Sequence, residues 1–88
     1  MGKALHTPGH TPGSMCFFFD SQKQLIAGDT LFQGSIGRTD LWGGDYSKIE
    51  QSIQGELYTL DEATKVITGH GESTTIGREM RSNNFVRA

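Results

Sequence analysis

Short apolar runs, each stopped by a turn that carries glycine, restrict most strongly what this chain can fold into. Residues 5–7 run into Pro8-Gly9, residues 24–27 into Gly28, and residues 65–68 into Gly69-His70-Gly71. Runs of this length bounded by glycine and proline read as short strands rather than helices. Glycine takes up 12 of the 88 residues, about twice the average usage of ~7%. It gathers in the turns and in the segment 30–44, which holds Gly34, Gly37, Gly43 and Gly44 and reads as a long loop. A chain this short buries only a little over ~60% of the surface its unfolded form exposes. One small core is its limit.

Between the glycine turns the pattern supplies the rest of that core. Met15–Phe19 is continuously apolar, and the polar segment Asp20-Ser21-Gln22-Lys23 joins it to the run at 24–27 as in a hairpin. With no polar residue alternating through Cys16, Phe17, Phe18 and Phe19, that strand is expected to be covered on both faces. The period then changes to 3.6. Tyr46, Ile49, Ile53, Leu57 and Leu60 share one helical face, with Ser47 and Glu50 spaced as a capping box and Asp45 helping the helix to start. Gly55 sits on another face of that helix. A last helix is expected over 75–82, with Ile76 and Met80 inward and Asn83-Asn84 ending it. Nothing resembles a linker, repeat or low-complexity tract, so residues 1–88 read as one unit of mixed α/β (α+β) type: short strands plus two helices.

Charge and cysteine usage exclude several functions. The formal net charge is -2 and the eight Lys and Arg are scattered, which leaves no basic footprint for nucleic acid or an anionic membrane. No stretch reaches the ~18 apolar residues of a membrane span. A single cysteine makes no internal disulfide, and a reduced, cytoplasmic compartment is expected. Cys16 lies inside an apolar run and reads as a small core residue, and Ser14 has no base partner that would make it a nucleophile.

Three strand ends carry a residue of metal-ligand type: His10 in Pro8-Gly9-His10-Thr11-Pro12-Gly13, Asp29 in Ala27-Gly28-Asp29-Thr30, and His70 in Thr68-Gly69-His70-Gly71. Each has glycine beside it, which permits a sharp turn at the strand end and leaves room around the side chain. Taken singly, each is an ordinary turn residue. Together, two imidazoles and a carboxylate suit zinc, with iron or manganese as alternatives, in a hydrolytic site with open coordination positions.

Those segments, with Leu31-Phe32, Ile36-Gly37-Arg38-Thr39-Asp40 and the closing Arg78-Glu79-Met80-Arg81-Ser82-Asn83-Asn84-Phe85, resemble the C-terminal half of a metallo-β-lactamase superfamily hydrolase, in its hydroxyacylglutathione hydrolase (glyoxalase II)-like branch. The resemblance covers nearly the whole chain. It implies half of an αββα sandwich with a two-metal site at the edge of the paired sheets. By position His10 would be a ligand of the first metal, Asp29 the bridging carboxylate, taking part in catalysis, and His70 a ligand of the second. It further implies metal-assisted hydrolysis of a small thioester, with the attacking hydroxide bridging the ions. Arg38 would hold an anionic part of the substrate; as an exposed loop arginine it would only meet solvent.

The family's other ligands lie on a His-x-His-x-Asp-His motif in an N-terminal half, and this sequence has no such motif. His6 and His10 are four apart across Pro8-Gly9 and cannot share a helical face; His6 is expected to pack behind the site. Full activity would therefore need a complementary half, the isolated chain being inactive alone. Otherwise the chain is a catalytically silent binding or assembly module with at most one weak metal site. The expected bare surface comprises Phe17, Phe18, Phe19, Ile26 and Leu31, and it predicts a homo-oligomer or tight dependence on an N-terminal partner. Trp42 either plugs the loop or lines a substrate channel.

Overall fold

In the computed structural model, residues 2–39, 43–69 and 71–88 are described. Strands β1 (Gly2–His6), β2 (Met15–Phe19) and β3 (Gln24–Gly28) form an antiparallel meander. The β2–β3 hairpin turns through Lys23, which adopts a left-handed φ of 49°. A small hairpin follows, β4 (Leu31–Phe32) paired with β5 (Ser35–Ile36). Helix α1 (Tyr46–Ser52) runs on into a π-helical segment, Ile53–Leu57. The chain then returns as β6 (Lys65–Thr68), parallel to β3, with β7 (Thr74–Thr75) beside it and α2 (Ile76–Ser82) last. Sheet order is β1-β2-β3-β6-β7. Because parallel strands need a crossover, the segment between β3 and β6 carries α1 onto one face of the sheet.

Strand alternation decides which side chains meet those helices. Leu5, Cys16, Leu25, Ala27 and Val66 point to the helical side and join Ile49, Ile53, Leu57, Tyr58, Ile76 and Val86 in one buried cluster. The opposite face carries the register row Ala4, Phe17, Ile26 and Ile67. There Phe17 is 46% and Ile26 41% exposed. The uninterrupted apolar run of β2 thus has only one covered face, contrary to the expectation from its composition. The bare surface is also differently composed. Met15 belongs to it, Leu31 is fully buried in the core, and Phe18 packs against the core.

Helix starts follow local chemistry. Asp45 is the N-cap of α1, its carboxylate accepting from Lys48 N–H at 3.1 Å. Ser47 and Glu50 lie inside the helix, so the expected capping box gives way to an equally good cap two residues earlier, where Asp45 N–H is also held by Gly9 O. The helical face over 46–60 holds at Ile49, Ile53 and Leu57, whereas Tyr46 is exposed. Tyr58 N–H donates to Ile53 O at 2.8 Å, the wide bond of a π turn, which lets consecutive Leu57 and Tyr58 both be buried. Thr75 caps α2 by accepting from Arg78 N–H.

Candidate metal centre

Each turn that bears an expected ligand is fixed by its own backbone. After β1, the Pro8-Gly9 turn lies so close to α1 that a Cβ at Gly9 would fall 2.3 Å from Ile49 Cβ, and Gly9 O accepts from Asp45 N–H at 2.7 Å. With a φ of 142° as well, only glycine fits. Within the same loop Ser14 Oγ accepts from Thr11 N–H at 3.1 Å and lies 2.7 Å from Thr11 Oγ1. Ser14 is therefore a turn-former here. His6 is exposed, correcting its expected place behind the site; its Nε2 lies 2.8 Å from Pro12 O, bracing the loop that carries His10.

His10 and Asp29 meet at the strand ends. His10 Nε2 lies 3.9 Å from Asp29 Oδ2, with the imidazole about a quarter exposed and the carboxylate about half. That separation is too long for a hydrogen bond. The other ring nitrogen, Nδ1, donates to Arg38 O at 2.8 Å. A carbonyl can only accept, so this bond places the proton on Nδ1 and leaves the Nε2 lone pair facing Asp29. Orienting a ligating imidazole through its second nitrogen is the usual arrangement of histidine metal ligands.

The loop after Asp29 closes over the pair. Gly37 N–H donates to Thr30 O at 3.2 Å, and Gly37 sits so tightly that a Cβ would fall 1.9 Å from Asp29 O. This close approach brings Arg38 O within reach of His10. His10, Asp29, Phe32, Gly37 and Arg38 line a cavity of about 220 Å³. At the end of β6, Gly69 N–H donates to Gly28 O at 2.7 Å, and a Cβ on Gly69 would lie 2.8 Å from Asp29 Oδ1. His70, the third expected ligand, lies outside the described residues, as do Asp40 and Trp42. Among the described residues no group of three His, Cys, Asp or Glu comes together.

Behind the site, Thr7 Oγ1 lies 3.2 Å from Thr30 Oγ1 and 3.3 Å from Cys16 Sγ. Burial raises the Cys16 pKa, partly offset by hydrogen bonds from Thr7 and Thr30. A buried thiol with a raised pKa is a packing residue. The two buried threonines tie the roots of the His10 and Asp29 loops together; isolated threonines carry no spacing signal by which sequence alone would mark them.

The described residues thus form a one-sided α/β layer with an imidazole–carboxylate pair at its strand ends. The sequence pattern of the metallo-β-lactamase superfamily matches residues 1–70, and the chain belongs to that superfamily. It is 49% identical over 84 residues to hydroxyacylglutathione hydrolase GloC of Haemophilus influenzae, covering 96% of this chain and 40% of that protein. Its fold superposes on the crystal structure of the BLEG-1 B3 metallo-β-lactamase with a TM-score of 0.94 at 47% identity, covering 99% of this chain and 42% of that one. It also superposes on TTHA1623 in a di-iron-bound form, with a TM-score of 0.92 at 42% identity over 97% of this chain and 42% of that one. The chain spans about two-fifths of the length of the curated relatives it matches. No helix among the described residues is long and apolar enough to cross a membrane.

Proposed function

We propose that this chain supplies one side of the active site of a metal-dependent hydrolase acting on glutathione thioesters. The observation that carries the reading is the oriented pair, His10 Nε2 facing Asp29 Oδ2 across 3.9 Å with the ring proton held on Nδ1 by Arg38 O. The two donors lie near enough to hold one ion together after a small approach, and nitrogen plus carboxylate oxygen suits zinc, iron or manganese alike. His10 and Asp29 would hold metal together with His70. Bound metal would supply Lewis-acid polarisation of the thioester carbonyl and a nucleophile at neutral pH. Arg38 lines the same cavity, where its guanidinium is suited to a substrate carboxylate, and the missing side chain at Gly37 lets the loop bearing Arg38 pack against Asp29 O. The glutathione thioester class is supported by the GloC relative.

The sheet face around Phe17 and Ile26 fits a complementary half bearing the His-x-His-x-Asp-His ligands, since the matched relatives are more than twice the length of this chain. The test joins the chain to such a half and assays hydrolysis of a hydroxyacylglutathione. Activity that vanishes in H10A and D29A is expected. A metal-loaded, fully assembled protein without thioesterase activity would overturn the substrate class. Sedimentation of the chain alone distinguishes a complementary half from a second copy as the cover of the bare face: a monomer is expected, and a stable dimer lost in F17K/I26K would replace one occupant by the other.

A second reading is favoured by one observation, that the sequence has no His-x-His-x-Asp-His motif. On it the chain is a silent binding or assembly module with one weak metal site. Metal content after dialysis separates the two: a stoichiometry near one or two, lost when His10, Asp29 and His70 are all changed to alanine, supports the enzyme.

A further inference from the structure

Glu79 is fully buried on α2, an expensive place for a carboxylate unless every oxygen is satisfied. Its Oε1 accepts from Gly34 N–H at 2.9 Å and from Asn83 Nδ2 at 2.9 Å, and its Oε2 accepts from Thr74 Oγ1 at 2.6 Å. Three donors converge on a group that only accepts. Asn83, also buried, donates from Nδ2 to Ser35 O at 3.0 Å, while its Oδ1 accepts from Phe85 and Val86 N–H. Asn84 N–H donates to Gly34 O at 3.2 Å. The turn between β4 and β5 is thus gripped on both sides of Gly34 by α2 and the residues that follow it.

That turn lies only a few residues from the candidate metal centre. β5 leaves it through Ile36 to Gly37, which bonds Thr30 O, and to Arg38, whose carbonyl holds the His10 ring. We propose that Glu79, with Asn83, is a positioning residue for the metal-ligand edge: its buried carboxylate locks the β4–β5 turn and thereby the Arg38 carbonyl that orients His10. The inference deepens the reading of His10 as a ligand and rests on it for its functional meaning, but the lock itself is a property of this chain without metal. A purely structural role for Glu79 would lower stability and leave the imidazole as it is.

The test is long-range nitrogen NMR of the His10 ring in mildly alkaline solution, with amide exchange on the same samples. The unaltered chain is expected to show a single Nδ1–H tautomer at His10 and a protected Gly34 amide. E79A is expected to accelerate Gly34 exchange at least about tenfold and to give a mixed tautomer, with the amides of β2 and β3 still protected. E79Q is expected to restore both, because its amide oxygen keeps the Gly34 and Asn83 bonds and its NH2 meets the Thr74 hydroxyl. A folded E79A with an unchanged His10 tautomer overturns the proposal. Should E79A not fold, the unaltered chain still decides: a freely exchanging Gly34 amide or an Nε2–H tautomer overturns it. Cobalt(II) titration tests the ligand reading separately: a tautomer response to E79A without His10-dependent cobalt absorption keeps the lock and removes the metal assignment.

Discussion

The two faces of one sheet have opposite fates in this molecule. On the helical side Leu5, Cys16, Leu25 and Val66 are buried against α1, the π turn and α2. On the other side Ala4, Phe17 and Ile26, of much the same character, meet solvent. Ordinary half-exposed sheets place polar residues on the wet side. An apolar face left in solvent departs from that rule, and the difference teaches that the composition of a strand does not settle which of its faces is covered.

The largest effect should come from the covered face. Leu25→Ala, on the central strand at zero exposure, is expected to destabilise by ~2–5 kcal/mol, whereas Phe17→Ala should change the urea midpoint of the isolated chain little, within ~0.5 kcal/mol. Comparable losses at both positions would mean that the Phe17 face is covered in solution. Next is Gly37→Ala, whose methyl group would strike Asp29 O. Relieving that clash should cost ~1–3 kcal/mol and weaken binding of added zinc, measured by calorimetry, because the loop can move only by withdrawing Arg38 O from His10.

Tyr58 offers a smaller and pH-dependent effect on the helical side. Its hydroxyl donates to Val86 O at 2.6 Å, with Glu79 O as a second, more distant acceptor at 3.1 Å, and Tyr58→Phe should cost ~1 kcal/mol in thermal or urea unfolding. Burial, and secondarily the charge of Glu79, push the phenol pKa up. The folded chain therefore holds this proton more tightly than the unfolded chain does. The resulting stability is fully present below the ordinary tyrosine pKa of ~10 and declines as pH rises above it. Y58F should flatten that alkaline decline; an unchanged slope would place its origin elsewhere. Smallest of all is the exposed Lys23–Asp61 pair at 3.2 Å. The Ala63 amide, then Lys23, hold the Asp61 carboxyl below its usual pKa. D61N should therefore leave Tm at neutral pH nearly unaltered and remove only a slight stabilisation that the parent chain loses as pH falls into the carboxylate range.

Much of the architecture was legible because it depends on local pattern. The runs at 15–19 and 65–68 become strands with those bounds, Asp45 starts α1, and α2 ends at Asn83. The resemblance also brought together His10 and Asp29, which the fold places side by side. The helix over 46–60 was legible as a face but not as a π turn, since an i to i−5 bond leaves no spacing signature distinct from i to i−4. The capping box at Ser47 fails for a similar reason: two acceptable N-caps lie two residues apart, and the contact of Gly9 O with Asp45 N–H selects one.

By itself, then, the sequence determined where β2, β6 and α2 lie, which turns bear residues of metal-ligand type and which family they belong to, because glycine conformation, capping and hydrophobic period act over a few residues; the β4–β5 hairpin inside the segment 30–44 was not legible, its strands being two residues each. Tertiary structure alone decided which face of β2 is covered, why Glu79 can be buried, and which nitrogen of His10 faces Asp29. Those outcomes depend on contacts between residues 28 to 48 positions apart, such as His10 with Arg38, Gly34 with Glu79 and Ser35 with Asn83. No local preference can encode a partner that only the closed fold brings within hydrogen-bonding distance.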